Sequence, residues 1–274
     1  MRKQERICQA CGVSLSPDAK FCQKCGQIVD SVLRTEGIGT DFRGNQPPRP
    51  KFISLFPRAK WTQRLLIVFV GLSILSIILD MMDINLLKNI HNFTATEEEI
   101  NNNALIWGIW GVGYTLVYLV TIITFLRWIY QASSNLNALG YVSQRFSPGW
   151  AVGWWFIPFM HLFRPYQVMN EIWKSSHPNN KYTPGVPSAG TYKIDIGSNL
   201  IGWWWALWIV SNVLENIIMR TWFRAEDLQI KELIELTYFN MLVTSLTVIP
   251  AVIVFILINQ ITNNQEIKSQ SSVN

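Results

Sequence analysis

Three long apolar stretches constrain the fold of this chain more than any other feature. They extend from about Leu65 to Met82, from Ala104 to Leu126 and from Tyr238 to Asn259. Each approaches the ~20 residues that a helix needs to cross about 30 Å of hydrocarbon. Inside lipid, only helices and closed barrels pair all of their backbone N–H and C=O groups. The stretches therefore predict an all-α, multi-pass membrane protein.

A fourth stretch, from Leu200 to Met219, combines tryptophans with polar residues. Tryptophan is enriched where a membrane meets water, and Asn212, Glu215 and Asn216 follow in the second half. We expect this stretch to cross as well, with its polar groups facing the bundle or the far interface. The predicted count is then about four transmembrane helices. Only 15% of the chain is charged, well below the quarter or so of a soluble domain.

Residues 147–163 are apolar and aromatic, but they form a shorter stretch than the other four. Pro148 and Gly149 open the segment, and Pro158 interrupts it. A complete crossing is one interpretation. A broken re-entrant or interfacial segment fits the length and the breaks better, because irregular backbone is tolerated at membrane depth only where protein or water satisfies it.

The distribution of basic residues predicts the orientation. With four spans and a cytosolic N-terminus, nineteen of the 23 Lys and Arg residues fall on the inner side. This asymmetry is what the positive-inside rule describes. If residues 147–163 also crossed, Arg164, Lys174, Lys181, Lys193 and the C-terminus would lie outside. We therefore expect both termini inside, in a bacterial cytoplasmic membrane.

The four cysteines of the chain form two C-x-x-C pairs near the N-terminus: Cys8 with Cys11, and Cys22 with Cys25. Four thiolates around one tetrahedral Zn²⁺ form a closed, structural site. Two disulfides would need an oxidising compartment, and residues 1–7 lack the apolar core of a secretory signal peptide. A thioredoxin-like redox motif uses one pair in a βαβ context. We expect one structural zinc ion held by the four cysteines.

The predicted organisation has four parts. Residues 1–29 form the zinc ribbon, 30–60 a flexible basic linker, 61–262 the helical transmembrane domain, and 263–274 a polar C-terminal tail. The basic residues of the linker suit anionic lipid headgroups, at about 1 kcal/mol for each charge near the surface. Nucleic acid is the less favoured partner, because the linker predicts no folded basic face.

The most distinctive run lies between Arg127 and Trp173. Its characteristic residues are Trp128-Ile129-Tyr130, Asn135-Leu136, Ala138-Leu139-Gly140, the block from Arg145 to Pro158 (RFSPGWAVGWWFIP), Arg164-Pro165-Tyr166-Gln167 and Glu171-Ile172-Trp173. With these residues, the chain from about 60 to 260 resembles the bacterial domain-of-unknown-function family 4328. Residues 6–28 resemble the zinc-ribbon heads of many bacterial proteins. The resemblance implies an integral membrane domain behind a zinc ribbon, and it implies no reaction.

Six residues are candidate lipid or ligand contacts. The tryptophans suit anchoring at headgroup depth, the arginines suit lipid phosphate or a pair with Glu171, and acids inside membranes are often functional. Packing and interface anchoring are the simpler interpretation of the same residues. The set consists of Arg145, Trp150, Trp154, Trp155, Arg164 and Glu215.

No catalytic residue is predicted, since the chain has no H-E-x-x-H, G-x-S-x-G or P-loop motif. We expect a non-enzymatic membrane protein whose ribbon serves as an interaction, scaffold or sensing module for a protein partner. The alternative is a transporter, channel or lipid-binding protein that uses the aromatic segment 145–173.

Overall fold

The fold was obtained as a computed structural model. It describes residues 6–7, 14–15, 50–141, 144–178 and 195–271. The chain divides into two compact units, Met1–Arg49 and Pro50–Asn274. In the first unit, strand β1 (Arg6–Ile7) pairs antiparallel with strand β2 (Ser14–Leu15), so that Arg6 lies opposite Leu15.

The described part of the second unit is helical. Its helices are α1 (Phe56–His91), α2 (Glu97–Ala138), α3 (Pro148–Gly153), α4 (Arg164–Ser176), α5 (Asp195–Trp222) and α6 (Ile230–Ser271), with short 3₁₀ turns at Met160–Leu162 and Ala225–Asp227. Three of these helices, α1, α2 and α6, are long and apolar enough to cross a membrane by length and composition. The predicted helical fold is confirmed for this unit, and its three long apolar helices are consistent with a membrane protein.

Local sequence signals set the ends of the longest helices. Helix α2 begins with a capping box, in which the Thr96 hydroxyl accepts from the Glu99 N–H and the Glu99 carboxylate accepts from the Thr96 N–H. It ends just before Gly140, whose φ of 84° lies in the left-handed region that glycine adopts most easily. Helix α2 thus continues beyond the second apolar stretch, which ends at about Leu126, as far as Ala138.

One end of the bundle gathers the start of α1 with the ends of α2 and α6. The Leu55 N–H donates to Glu266 Oε1 at 2.8 Å, and Asn135 Nδ2 donates to the Ile53 carbonyl at 2.8 Å. Helix α4 also ends here, because Gln265 Nε2 donates to Ser176 Oγ at 2.9 Å. We call this the tether end, since residues 50–55 enter the bundle at this point.

The opposite, distal end joins the same helices at their other termini. Asn240 Nδ2 on α6 lies 3.1 Å from Asp80 Oδ2 on α1, and Asn103 Nδ2 on α2 lies 2.7 Å from Asp83 Oδ1. Since α5 ends at Trp222 and α6 begins at Ile230, α5 also ends at the distal end. The helices α1, α2, α5 and α6 therefore alternate in direction.

The best-packed core lies towards the tether end. Most of its fully buried side chains come from three helices: Trp128, Ile129 and Leu136 of α2, Met169 and Ile172 of α4, and Leu257, Ile258 and Ile261 of α6. Elsewhere the long helices present large apolar side chains outwards. A soluble protein rarely exposes contiguous apolar surface of this kind, whereas lipid requires it.

The aromatic segment 147–163 forms no single long helix. Its regular parts are α3, about 9 Å long at 1.5 Å per residue, and the 3₁₀ turn Met160–Leu162. Phe159, with a φ of 64°, lies at the turn between them. Neither of these helical pieces is long enough to cross ~30 Å of hydrocarbon. The segment is therefore broken, as its prolines predicted.

Two of the predicted segment boundaries differ from the helix ends in the structure. Helix α1 begins at Phe56, inside the predicted linker 30–60, because Pro57 suits the first helical turn. Helix α6 continues to Ser271, through most of the predicted tail 263–274, because Gln265 is buried against α2 and α4. Helix α5 is not among the three candidate spans, and polar residues such as Asn212 and Glu215 interrupt its apolar sequence.

Candidate ligand-binding site

The two predicted arginines both lie close to one aromatic ring. The guanidinium carbons of Arg145 and Arg164 are 5.2 Å and 5.8 Å from the ring centroid of Phe146. Arg164 is also 5.2 Å from the Trp154 ring, and its Nη1 donates to Gln167 Oε1 at 3.0 Å. Each such cation–π contact contributes about 0.5–1 kcal/mol at an exposed site. The structure thus brings Arg145, Trp154 and Arg164 together.

Glu171 holds the turn that leads into this group. Its carboxylate oxygens accept hydrogen bonds from the backbone N–H groups of Arg145 and Phe146, the latter at 3.3 Å. The interaction expected between Arg145 and Glu171 is therefore made through the Arg145 backbone. Its effect is to hold the approach to α3 against α4, which positions both arginines.

The rings of Trp150 and Trp154 pack together at a tilt and Arg164 lies over Trp154, whereas Trp155 points into the bundle. The rings of Trp150 and Trp154 have centroids 4.8 Å apart, and Trp150 is 52% exposed. The ring of Trp155 makes edge contacts with Phe125, Trp205 and Trp208 at 5.7–5.8 Å. Such pairs contribute about 0.5–1.5 kcal/mol beyond burial. The predicted contact residues therefore divide into two groups.

A hydrogen bond from α5 fixes the far part of the aromatic segment. Trp205 Nε1 donates to the carbonyl of Leu162, at the 3₁₀ turn, at 2.9 Å. Trp205 also stacks on Trp208 with centroids 4.7 Å apart. Residues 147–163 are consequently held between α4 and α5, with Trp155 pointing towards the bundle interior.

Trp155 forms part of the wall of a cavity of about 320 Å³ between α1, α2, α5 and α6. This volume falls within the range of small-molecule pockets. Most of the lining is apolar or aromatic, including Leu66, Phe69, Phe125, Trp204, Trp208 and Val254. Phe156, which is 72% exposed, borders the cavity from the aromatic segment. The arrangement suits a largely apolar occupant.

Helix α5 supplies the polar part of this cavity. Trp208, Ser211, Asn212 and Glu215 share one helical face because they are three or four residues apart, and all four line the cavity. Ser211 is 3% exposed, and its Oγ has no hydrogen-bond partner in the described ranges. Asn212 Nδ2 donates to the Trp208 carbonyl at 2.7 Å, which leaves Asn212 Oδ1 as an acceptor. The predicted residue Glu215 thus belongs to an amphipathic pocket together with Trp155.

The two threonine hydroxyl groups that line the cavity from α2 and α6 already bond within their own helices. Thr121 Oγ1 donates to the Val117 carbonyl at 2.7 Å, and Thr247 Oγ1 donates to the Thr244 carbonyl at 2.8 Å. Back-bonding of this kind is usual for threonine in helices. Sequence reasoning missed Ser211 and these threonines, because isolated hydroxyls in apolar stretches carry no motif.

A second feature missed from the sequence is a cluster of buried amides at the tether end. Asn135 Oδ1 accepts from Gln131 Nε2 at 2.9 Å and from the Ile53 N–H at 3.2 Å. Asn135 Nδ2 donates to the Ile53 carbonyl and, at 3.2 Å, to Gln265 Oε1. Gln265 Nε2 donates to the Ala132 carbonyl at 2.9 Å. We call Gln131, Asn135 and Gln265 the amide cluster, and it ties residues 50–55 to α2 and α6.

The predicted zinc ligands Cys8, Cys11, Cys22 and Cys25 lie outside the described residues. The described strands β1 and β2 flank residues 8–13 in the sequence, and this stretch includes Cys8 and Cys11. Four cysteine thiolates would supply the tetrahedral donor set of a structural Zn²⁺. Across the described ranges, no group of three or more His, Cys, Asp or Glu residues could hold a metal ion.

Comparison with known families agrees with this architecture. The family model described as "Domain of unknown function (DUF4328)" matches residues 92–263, and a zinc-ribbon domain model matches residues 7–29. No curated protein and no solved structure gives a match. The first match includes α2 to α5, most of α6 and nearly all of the cavity wall. The chain therefore belongs to the DUF4328 family and carries a zinc-ribbon domain at its N-terminal end.

Proposed function

We propose that this chain is a four-span, non-enzymatic protein of the bacterial cytoplasmic membrane, whose cytosolic zinc ribbon acts as an interaction, scaffold or sensing module. The observation that carries the proposal is the attachment of residues 50–55. Asn135 bonds both backbone groups of Ile53, and Glu266 accepts from the Leu55 N–H. These residues lie in the last part of the predicted linker that follows the ribbon, so the end of this linker is part of the bundle's own hydrogen-bond network.

The helix directions support a fourth crossing by α5. Helices α4 and α6 both end at the tether end, so the chain must reach the distal end between Ser176 and Ile230. Helix α5 lies in this interval, and its 28 residues correspond to about 42 Å. This length exceeds the ~30 Å of hydrocarbon, which allows both its tryptophan-rich half and its polar half to lie partly in the interfaces.

Charge placement supports a cytosolic tether end. Arg58, Lys60 and Arg64 occur in the first turns of α1 and Lys268 in the last turn of α6, all towards the tether end. The distal end has only four basic residues in its helix ends and connections: Lys88, Arg220, Arg224 and Lys231. The positive-inside rule assigns the more basic end to the cytosol.

Labelling of single introduced cysteines tests this topology. The four native cysteines are first replaced by serine, and a single cysteine is then introduced at position 95, 185 or 228. An impermeant maleimide added to intact cells should label 95 and 228, while 185 should react only after permeabilisation. A position 95 probe also serves as the control for access. Labelling of 185 from outside would contradict the four-span arrangement.

The ribbon's role can be tested in the full-length membrane protein. Crosslinking and affinity capture from native membranes should recover a partner with the unmodified chain and lose it in the double variant Cys22→Ser, Cys25→Ser. The matched control is Ser14→Ala, at an exposed position of β2 outside the cysteine pairs. If the double variant captured the same proteins as Ser14→Ala, the ribbon would not be an interaction module, because the double variant removes half of the thiolates on which ribbon folding depends.

A second candidate function, binding of a lipid-like or other hydrophobic ligand, is favoured by the cavity. Its volume of about 320 Å³, its aromatic walls and the unpaired Ser211 hydroxyl are typical of a ligand pocket. This function is compatible with a sensing role, since a ligand bound among the helices can change their packing.

A further inference from the structure

We infer that the cavity binds a small hydrophobic cation, namely an amine or quaternary ammonium carried on one aromatic ring or one short alkyl chain. The inference rests on the second candidate function and specifies its ligand class. It follows from three properties of the pocket: its size, the kind of polar group it presents, and its aromatic surface.

The size of the cavity limits the occupant to a small molecule. A dry cavity of about 150 Å³ in another protein takes up one benzene molecule. The present cavity, at about 320 Å³, has roughly twice that volume. It suits one ring with a substituted head, or one short chain, rather than the two acyl chains of a phospholipid.

The polar groups of the pocket favour a ligand that is positive or donates hydrogen bonds. Glu215 presents a carboxylate that makes no hydrogen bond within the described part of the chain, and Asn212 presents its free carbonyl oxygen. Ser211, almost completely buried, aims an unpaired hydroxyl into the same space. Within the described ranges, no Lys, Arg or His lines this cavity. An anionic ligand would thus meet a carboxylate with no compensating cation.

The aromatic walls of the cavity also favour a cationic ligand. Phe125, Trp155, Trp204 and Trp208 all line the cavity, and the ring of Trp155 meets those of Phe125 and Trp208 edge-on. In an edge-to-face pair, one ring contacts its partner through its edge, so its own negative faces stay uncovered by that partner. A desolvated cation over such a face is attracted by the negative charge of the ring face.

The two arginines of the aromatic segment do not oppose this assignment. Arg145 and Arg164 lie against Phe146 and Trp154, and neither borders the cavity. Trp155, next in sequence to Trp154, faces the other way. The aromatic segment therefore separates a cationic group from an acceptor-rich pocket.

The experiment compares two probes of the same shape in the full-length protein reconstituted into phosphatidylcholine nanodiscs. Benzyltrimethylammonium is the cation, and neopentylbenzene, in which carbon replaces nitrogen, is its neutral isostere. Saturable binding is measured by equilibrium dialysis against empty nanodiscs. Glu215→Gln removes the charge, Ser211→Ala removes the unpaired hydroxyl, and Glu235→Gln makes the same acid-to-amide change at an exposed position of α6 outside the cavity.

The unmodified protein should bind the cation at least tenfold more tightly than the isostere. Glu215→Gln should reduce cation affinity tenfold or more while leaving isostere affinity within twofold, and Glu235→Gln should change neither. Equal affinities for the two probes, no saturable binding of either, or an unchanged cation affinity in Glu215→Gln would overturn the inference. Binding of the isostere alone would keep the ligand-binding function but reject the cation, so the two failures can be distinguished.

Discussion

Replacement of Asn135 by leucine is the sharpest test of how the tether is held. The Asn135 side chain is 1% exposed, and its amide makes hydrogen bonds to Gln131, to Gln265 and to both backbone groups of Ile53. Leucine is similar in size, so the substitution removes the hydrogen bonds without creating a large cavity. Gln131 Nε2 and Gln265 Oε1 then lose a partner inside the protein.

The expected cost follows from these two orphaned groups. A buried polar group left without its partner costs about 1–3 kcal/mol, which gives about 2–6 kcal/mol for two. The backbone of Ile53 contributes less, because this residue is 50% exposed and water can replace the amide. Hydrogen bonds in membrane proteins average only about 0.6 kcal/mol, which favours the lower half of the range. We expect a loss of about 2–3 kcal/mol in the free energy of unfolding.

Equilibrium unfolding in mixed micelles, followed by tryptophan fluorescence, measures this loss. Hydrogen exchange of the peptide containing residues 50–60 gives a local readout, because the Ile53 N–H should lose its protection. Asn137→Leu is the matched control, since Asn137 lies on the same helix with an exposed side chain, and it should change stability by no more than about 0.5 kcal/mol. If the two variants unfold alike and exchange alike, the amide cluster does not hold the tether.

Three further predictions follow from the fold. Gly140→Ala should destabilise the protein by about 1–2 kcal/mol in the same unfolding assay, because Gly140 has a left-handed φ of 84°. Gly149→Ala is its control and should change stability little, because the added Cβ meets nothing within 4 Å. Trp155→Ala should cost about 3 kcal/mol through lost contacts with Phe125, Trp205 and Trp208, and the half-exposed Trp150→Ala should cost less than half as much by thermal denaturation. Metal analysis of the purified protein should give one zinc ion per chain. Removal of the zinc by a chelator should leave the melting temperature of the helical unit unchanged. A shifted melting temperature would show that the two units stabilise each other.

The membrane class and the ribbon were predictable from the sequence because both depend on local composition. A run of about twenty apolar residues must form a helix in lipid wherever its neighbours lie. Two C-x-x-C pairs indicate a metal ligand set by spacing alone. The breaks at Pro148 and Pro158 were predictable for the same reason, since each reflects the backbone preferences of one residue.

The division of the aromatic block was decided only by tertiary structure. Trp154 and Trp155 are adjacent and chemically identical in sequence, yet one stacks near Arg164 and the other enters the bundle against Phe125 and Trp208. Their directions depend on where α2, α4 and α5 pack around the broken segment. No periodicity predicts this, because the segment is too irregular for one.

The amide cluster and the polar face of the cavity were likewise beyond the sequence alone. Asn135 and Gln265 are 130 residues apart, and their pairing exists only because α2 and α6 end at the same side of the bundle. Residues that seem to be a polar tail thereby become buried partners of the tether. Composition determined that this chain has helices apolar enough to cross a membrane, whereas the packing of those helices determined which polar groups meet between them.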